Sequence, residues 1–280
     1  MRRQAWSLTP PNPYVQEYVM QEKRIAMWSV PRSLGTVLLQ AWSSRPDTAV
    51  FDELLSFPYL FIKGKDLGLT WTDLDSSQMP YTDWRYVIEL LKAPLPNENW
   101  RYVIELLKAP LPEGKSICYQ KHQAYHLIEE IMGLEWILPF SNCFLIRQPK
   151  EMLLSFHKIV PHFTFEETGW IKLKRLFDYV HQKSGAIPPV IDAHDLLNEP
   201  PRMLSKLCQA VGVEFTEAML SWPHMEVELN EKLAPWYSTV ASSTHFRPYQ
   251  AKDKPLPLHL VDICERCDEI YQELYQFRLS

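Results

Sequence analysis

Two stretches of this 280-residue sequence hold cations and hydroxyls at spacings suited to gripping an anion. The first is Trp28-Ser29-Val30-Pro31-Arg32-Ser33-Leu34-Gly35-Thr36, where an apolar run gives way to a short loop and then to a helical pattern. A strand, a tight loop with small hydroxyl residues and one cation, and a helix N-terminus together make an anion cradle, because backbone N–H groups and the helix dipole face the phosphate. The motif G-x-x-x-x-G-K-[ST] is missing, which disfavours an ATP or GTP site of the usual type. The second stretch, FLIRQPKEMLLSFHK, ends a strand on Arg147 and places Ser155 eight residues on, two turns into a helix that can begin at Pro149. A guanidinium and a hydroxyl can grip one phosphate by charge-assisted hydrogen bonds. Taken alone, each stretch also reads as a plain turn or a strand-end Arg paired to a surface carboxylate.

Proton transfer needs a base, and two strand ends offer one. His122 directly follows SICYQK, and His126 lies one helical turn later on the same face. Asp52 and Glu53 follow another strand and form the rival carboxylate site. A strand-end imidazole near its ordinary pKa of about 6.5 accepts a proton at neutral pH, so His122 is the expected base and Glu53 the alternative. Glu53, His126, Trp84 and Trp100 are expected at the substrate pocket, with Tyr119, Trp170 and Trp236 as further candidates for its apolar wall. The sequence has no H-E-x-x-H, EF-hand or compact His/Cys cluster, and no metal is expected.

These residues need elements to hold them. Apolar runs at 24–29, 48–51, 116–121, 142–147 and 189–193 alternate with helical patterns at 34–44, 123–132, 149–159, 166–183, 201–211 and 258–277. Asp195 and the Pro200-Pro201 pair read as helix-start signals. The pattern predicts an α/β fold, a parallel β-sheet flanked by helices, with right-handed β-α-β units and ligands at the carboxyl ends of the strands. The chain is expected to form a single domain over 1–280. One segment breaks the alternation: WRYVIELLKAPLP occurs at 84–96 and again, identical at all thirteen positions, at 100–112. Two copies cannot make a solenoid, so this duplicated insert at about 84–112 is expected to be an extra surface helix with a Pro-bounded turn, or a wall over the acceptor site.

Composition narrows the partners. A net charge of −5 and 46% apolar residues argue for a full core and against a surface that blankets nucleic acid. No apolar run approaches the roughly 18 residues of a membrane span, and the first residues, MRRQAWSLTPPNPY, lack the apolar core of a signal peptide. A cytoplasmic location with no membrane partner is expected. Cys118, Cys143, Cys208, Cys264 and Cys267 are an odd number scattered along the chain and read as reduced thiols. Nothing here gives the oligomeric state.

Together the loop and the Arg/Ser pair resemble the sulfotransferase family that uses 3'-phosphoadenosine 5'-phosphosulfate (PAPS) and releases 3'-phosphoadenosine 5'-phosphate (PAP). Pro31-Arg32-Ser33-Leu34-Gly35-Thr36 is similar to the family's P-K-S-G-T loop, and Arg147, Pro149 and Ser155 fit its R-x-P-x(5)-S pattern. The likeness continues through FDELL (51–55), YQKHQAYHL (119–127), VIDAHDLLNEPPRMLSKLCQAVGV (190–213) and SSTHFRP (242–248), and is nearest to bacterial and cyanobacterial members acting on small molecules. The resemblance implies a P-loop-like sulfotransferase fold and a small, natural-product-like acceptor. It implies that Arg32, Ser33, Leu34, Gly35 and Thr36 hold the 5'-phosphosulfate, and that Arg147 and Ser155 hold the 3'-phosphate. Phe246 and Arg247 stand where many relatives carry R-K-G and are expected to add to that cofactor site. Arg32 replaces the more usual Lys, and Lys121 and His122 are adjacent where the family commonly places one residue between them. Two other readings are a catalytically inactive nucleotide-binding or scaffold protein of the same fold and a nucleotide-dependent kinase; the missing P-loop Lys and the lack of a clear acidic Mg site count against the kinase.

Overall fold

Short apolar runs form strands because each is long enough to cross a sheet and apolar on both faces, as a strand covered by helices on two sides must be. The computed structural model describes residues 22–56, 59, 99–224, 234–251 and 254–280. Five strands appear: β1 (Lys23–Ser29), β2 (Thr48–Asp52), β3 (Ile117–Gln123), β4 (Ser141–Ile146) and β5 (Val190–Asp192). They form one sheet in the order β2-β3-β1-β4-β5, and every pairing is parallel. The five expected strands are thus all present, but β3 runs two residues past its expected end. Those two residues, His122 and Gln123, pair with Trp28 and Ser29.

The helices are α1 (Gly35–Ser43), α2 (Asn99–Lys108), α3 (Glu129–Met132), α4 (Pro149–Phe156), α5 (Trp170–Ser184), α6 (Ala193–Asn198), α7 (Pro200–Val211), α8 (Ala234–Ala241) and α9 (Val261–Tyr275). The helix expected at 123–132 is instead the end of β3, a 3₁₀ turn at Ala124–His126 and the single turn of α3. α6 starts at Ala193 and not at Asp195: the Asp192 carboxylate accepts from the His194 and Asp195 N–H groups and caps the helix.

Two apolar layers cover the sheet. On one face Ile25, Met27 and Tyr119 pack with Leu38, Leu39 and Trp42 of α1 and with α7. On the other, Trp28, Phe144 and Ile146 pack with α2, α4, α5 and α9. Burying each large apolar side chain contributes roughly 1.5–3 kcal/mol. The second copy of the repeat belongs to this core and is no surface insert: Val103, Ile104, Leu106 and Leu107 of α2 are buried, and the Leu107 and Ala109 carbonyls accept from the Arg24 guanidinium. The first copy, including Trp84, lies outside the described residues.

β1 is the central strand, with β3 on one side and β4 on the other, so the crossovers to its two neighbours leave in opposite senses. A crevice opens beyond the carboxyl end of such a strand. The loop at 30–36, Glu53, Gln123 and Arg147 all follow or end strands at that edge.

Candidate active site

The loop after β1 holds an unusual backbone. Arg32 and Leu34 have φ of 61° and 71°, in the left-handed region that favours glycine, and Glu53 at the end of β2 has φ of 50°. Such strain costs on the order of 1–3 kcal/mol each and clusters where function over-determines the conformation. Leu34 caps α1 with no side-chain hydrogen bond to the helix, so the first-turn N–H groups remain available at the crevice. Ser33 is buried and its Oγ has no hydrogen-bond partner among the described residues. An uncapped helix start beside an orphaned buried hydroxyl suits an anion, because each lacks the acceptor that an anion brings. Gly35 has a packing reason: a Cβ there would sit 3.0 Å from Lys121 Cε.

Arg32 meets Arg147 and Ser155 here, from more than a hundred residues away in sequence. Arg32 Nε donates to Ser155 Oγ at 3.1 Å and its Nη1 to the Trp236 carbonyl at 2.7 Å. Arg147 Nη1 donates to the Arg32 carbonyl at 2.9 Å. Burial, followed by repulsion from the Arg147 charge, lowers the Arg32 pKa from its ordinary value. Arg147 also pairs with Glu151, whose other oxygen accepts from Tyr249 Oη at 2.5 Å. That bond, with Glu151's charge, raises the Tyr249 pKa. A cavity of about 380 Å³ lies beside Arg147, lined also by Lys150, Glu151, His194, Tyr249 and Tyr271.

Across the loop lies a second, deeper cluster. Lys121 projects from β3 toward α1, and its Nζ is 2.8 Å from Asp52 Oδ1, 2.6 Å from Glu53 Oε1 and 3.0 Å from Thr36 Oγ1. Burial opposes its charge, but the two carboxylates outweigh that and raise its pKa. Asp52, 1% exposed, has its pKa raised by burial against the pull of Lys121, and accepts from Tyr237 Oη at 2.9 Å. Gln123 Nε2 donates to Glu53 Oε1 at 3.0 Å, and His126 Nδ1 stands 3.9 Å from Glu53 Oε2. The Tyr59 and Tyr125 rings close over His126 at 5.1 and 4.2 Å.

The expected base is not in this cluster. Because β3 continues through His122, alternation sends its ring to the face opposite Lys121, where it stacks on Trp28 at 4.6 Å with 0% exposure. Burial, with the His126 and Lys121 charges, pushes its pKa down to about 3. Burial and the Lys121 and Lys172 charges do the same to His126, also to about 3. Phe246 is a core residue packed edge-on against Trp222, and Arg247 is exposed and bonds to Ser242. Trp100 packs at the border of the core. Sequence reading passed over Lys121, Gln123 and Tyr237 as site residues. The available signal was a lysine near the end of an otherwise apolar strand run, since a charge there needs buried partners.

A parallel sheet with an anion cradle at its switch strand defines an α/β protein of the P-loop-like kind. More particularly, the chain belongs to the sulfotransferase domain family, which it matches over residues 23–268. The sulfotransferase domain of the Synechococcus PCC 7002 olefin synthase superposes with a TM-score of 0.52 at 20% identity, covering 88% of this chain and 94% of that one. The sulfotransferase domain of the curacin biosynthetic pathway gives 0.55 at 17%, covering 90% and 98%. At these identities the likeness is one of fold. Branched-chain-amino-acid aminotransferase-like proteins 2 and 1 of Arabidopsis thaliana are 30% and 29% identical over 253 residues. That match takes in 89% of this chain and 41% of each plant protein, so the chain spans about two fifths of the length of the curated relatives it matches. No helix among the described residues is long and apolar enough to cross a membrane.

Proposed function

We propose that the chain transfers the sulfuryl group of PAPS to a hydroxyl or amine of a small, natural-product-like acceptor and releases PAP. The observation that carries this reading is the meeting of Arg32, Arg147 and Ser155 beside the uncapped start of α1. A sulfuryl group moves in line from a phosphate leaving group to a nucleophile, so positioning and neutralisation of charge dominate the chemistry. In this reading the α1 N–H groups, Ser33 and Thr36 hold the 5'-phosphosulfate, and Arg147 and Ser155 hold the 3'-phosphate. Arg32 exchanges its bond to Ser155 for the leaving oxygen, while Lys121, paired with Asp52 and Glu53, holds Thr36 of the loop from the other side. The geometry favours His126 with Glu53 as the base over His122, since His126 and Glu53 lie beside Lys121 and His122 faces the core. His126 is neutral at rest but burial holds its pKa at about 3, so in this reading it takes up a proton only as the anionic sulfuryl group beside it raises its basicity.

Calorimetric titration with PAP and with adenosine 5'-phosphosulfate, which lacks the 3'-phosphate, tests the donor site. Arg147→Ala should weaken PAP binding by about 2 kcal/mol and leave the second ligand nearly unaffected. Arg32→Ala should keep PAP affinity and lower turnover on the order of a hundredfold, read as sulfated product by mass spectrometry after incubation of metabolite extracts with PAPS. Wild-type protein that binds neither nucleotide overturns the reading. PAP binding with no sulfated product from any extract favours the inactive nucleotide binder.

A further inference from the structure

Arg147 is already engaged by a carboxylate. Its Nε and Nη2 donate to one oxygen, Glu151 Oε2, at 3.2 and 2.9 Å, and its Nη1 to the Arg32 carbonyl. Both partners of the ion pair are largely buried, with side chains 11% and 12% exposed. Glu151 lies in the first turn of α4, anchored through its N–H to the Gln148 side chain. Its second oxygen is held by Tyr249, which packs edge-on against His194 across the cavity. Two of Arg147's three nitrogens are therefore turned to an internal anion, and that anion is fixed from two sides.

We propose that Glu151 is a built-in counter-anion that limits the affinity of the Arg147 site for phosphate and so sets how readily the nucleotide product leaves. The inference rests on the reading of Arg147 as the ligand of the 3'-phosphate. A dianionic phosphate on the remaining donors of Arg147 comes to rest roughly 5 Å from the Glu151 carboxylate, the span of two charge-assisted bonds through one guanidinium. At that separation, and with little solvent between them, repulsion between like charges outweighs the one or two hydrogen bonds by which Glu151 orients Arg147. Tyr249 moderates the effect, since its hydroxyl draws charge toward the oxygen farther from Arg147. Nucleotide affinity is then a difference between two anions competing for one cation, and Glu151 turns some binding strength into release.

The test is Glu151→Gln, which keeps the shape and an oxygen for Tyr249 while removing the charge. A purely structural role for Glu151 predicts weaker PAP binding when it is changed. The counter-anion role predicts the opposite: PAP binding tighter by about tenfold or more, with adenosine 5'-phosphosulfate affinity unchanged and product inhibition by PAP stronger by the same factor. Tyr249→Phe should move PAP affinity the other way by a few-fold, and Glu151→Asp should return it close to wild type. PAP affinity that is equal or weaker in folded Glu151→Gln overturns the inference while leaving Arg147 as phosphate ligand intact. Wild-type protein that fails to distinguish PAP from adenosine 5'-phosphosulfate overturns the assignment of Arg147 itself, and this inference with it.

Discussion

The two sides of the loop after β1 are built from the same kinds of residues and behave differently. On the β4 side Arg32, Arg147, Glu151 and Tyr249 form a chain of charge-assisted bonds along the wall of a cavity. On the β3 side Lys121 and Asp52 sit in the core, 3% and 1% exposed, with Glu53 partly exposed beside them. Water in the adjoining cavity can partly replace a lost partner of Arg147 or Glu151, and none reaches Asp52. Charges beside the cavity can therefore change partner at modest cost, whereas the Lys121 cluster has to be complete for the sheet edge to hold its shape.

The largest effect should come from breaking the buried side. Lys121→Met leaves the Asp52 carboxylate in the core with the Tyr237 hydroxyl still bonded to it and is expected to cost about 3–5 kcal/mol, or a fall in melting temperature on the order of 10 °C. Arg147→Ala leaves Glu151 with Tyr249 and with whatever water the adjoining cavity admits, and should cost less, about 1–2 kcal/mol. Thermal melts of the two variants side by side decide the matter: equal losses would mean that the two sides are energetically alike.

Acidification should expose the same contrast more mildly. His122 and His126 have folded pKa values of about 3 against an ordinary 6.5. Between those values the unfolded chain binds protons that the folded chain does not, so stability rises with pH there; it is fully present above about 6.5 and is lost as pH falls toward 3. Each imidazole accounts for roughly 2 kcal/mol of loss by pH 5. Asp52, whose pKa is raised, acts with the opposite sign. Guanidinium groups keep their charge across this range. Urea unfolding at pH 7, 6 and 5 should give a steep decline that His122→Phe makes shallower. A decline that is equally steep in His122→Phe would place the acid sensitivity elsewhere.

Much of this arrangement was legible in the sequence, and the failures have a physical pattern. All five strands were evident because parallel strands read as continuous apolar runs, and Arg147 and Ser155 because a strand end and a helix start fix their spacing. The position of His122 was misread at the end of β3: two further residues of strand turn it from the crevice to the Trp28 face, and polar residues at a strand end give no period by which to see this. Glu151 carries no signal of its own in the sequence, since nothing in FLIRQPKEM tells a helix-start carboxylate from one that also neutralises the site's arginine.

The smallest expected effect comes from the repeat. α2 buries Val103, Ile104, Leu106 and Leu107 against the face of the sheet that carries His122, and the same thirteen residues precede it at 84–96. Deleting Trp84 through Asn99 takes out one period and joins Asp83 directly to Trp100, so every side chain that seats α2 from Trp100 onward is kept. Asn99, the first helical residue, is replaced by Asp83. Both residue types are favourable at a helix start, and aspartate adds a negative charge where the helix dipole favours one. Shortening the stretch between β2 and α2 changes closure entropy only as the logarithm of its length, well under 1 kcal/mol. The variant should therefore melt within a few degrees of wild type and bind PAP with unchanged affinity, because the bonds that join Arg32, Arg147 and Ser155 are made to one another, to Glu151 and to Trp236. The shortened stretch leaves the sheet at Glu53, beside His126, so acceptor turnover is where any change should appear. Loss of PAP binding in a folded deletion variant would show that the two sides of the loop are coupled through this segment and that their independence is wrong. Unfolding would mean that the first copy carries part of the core.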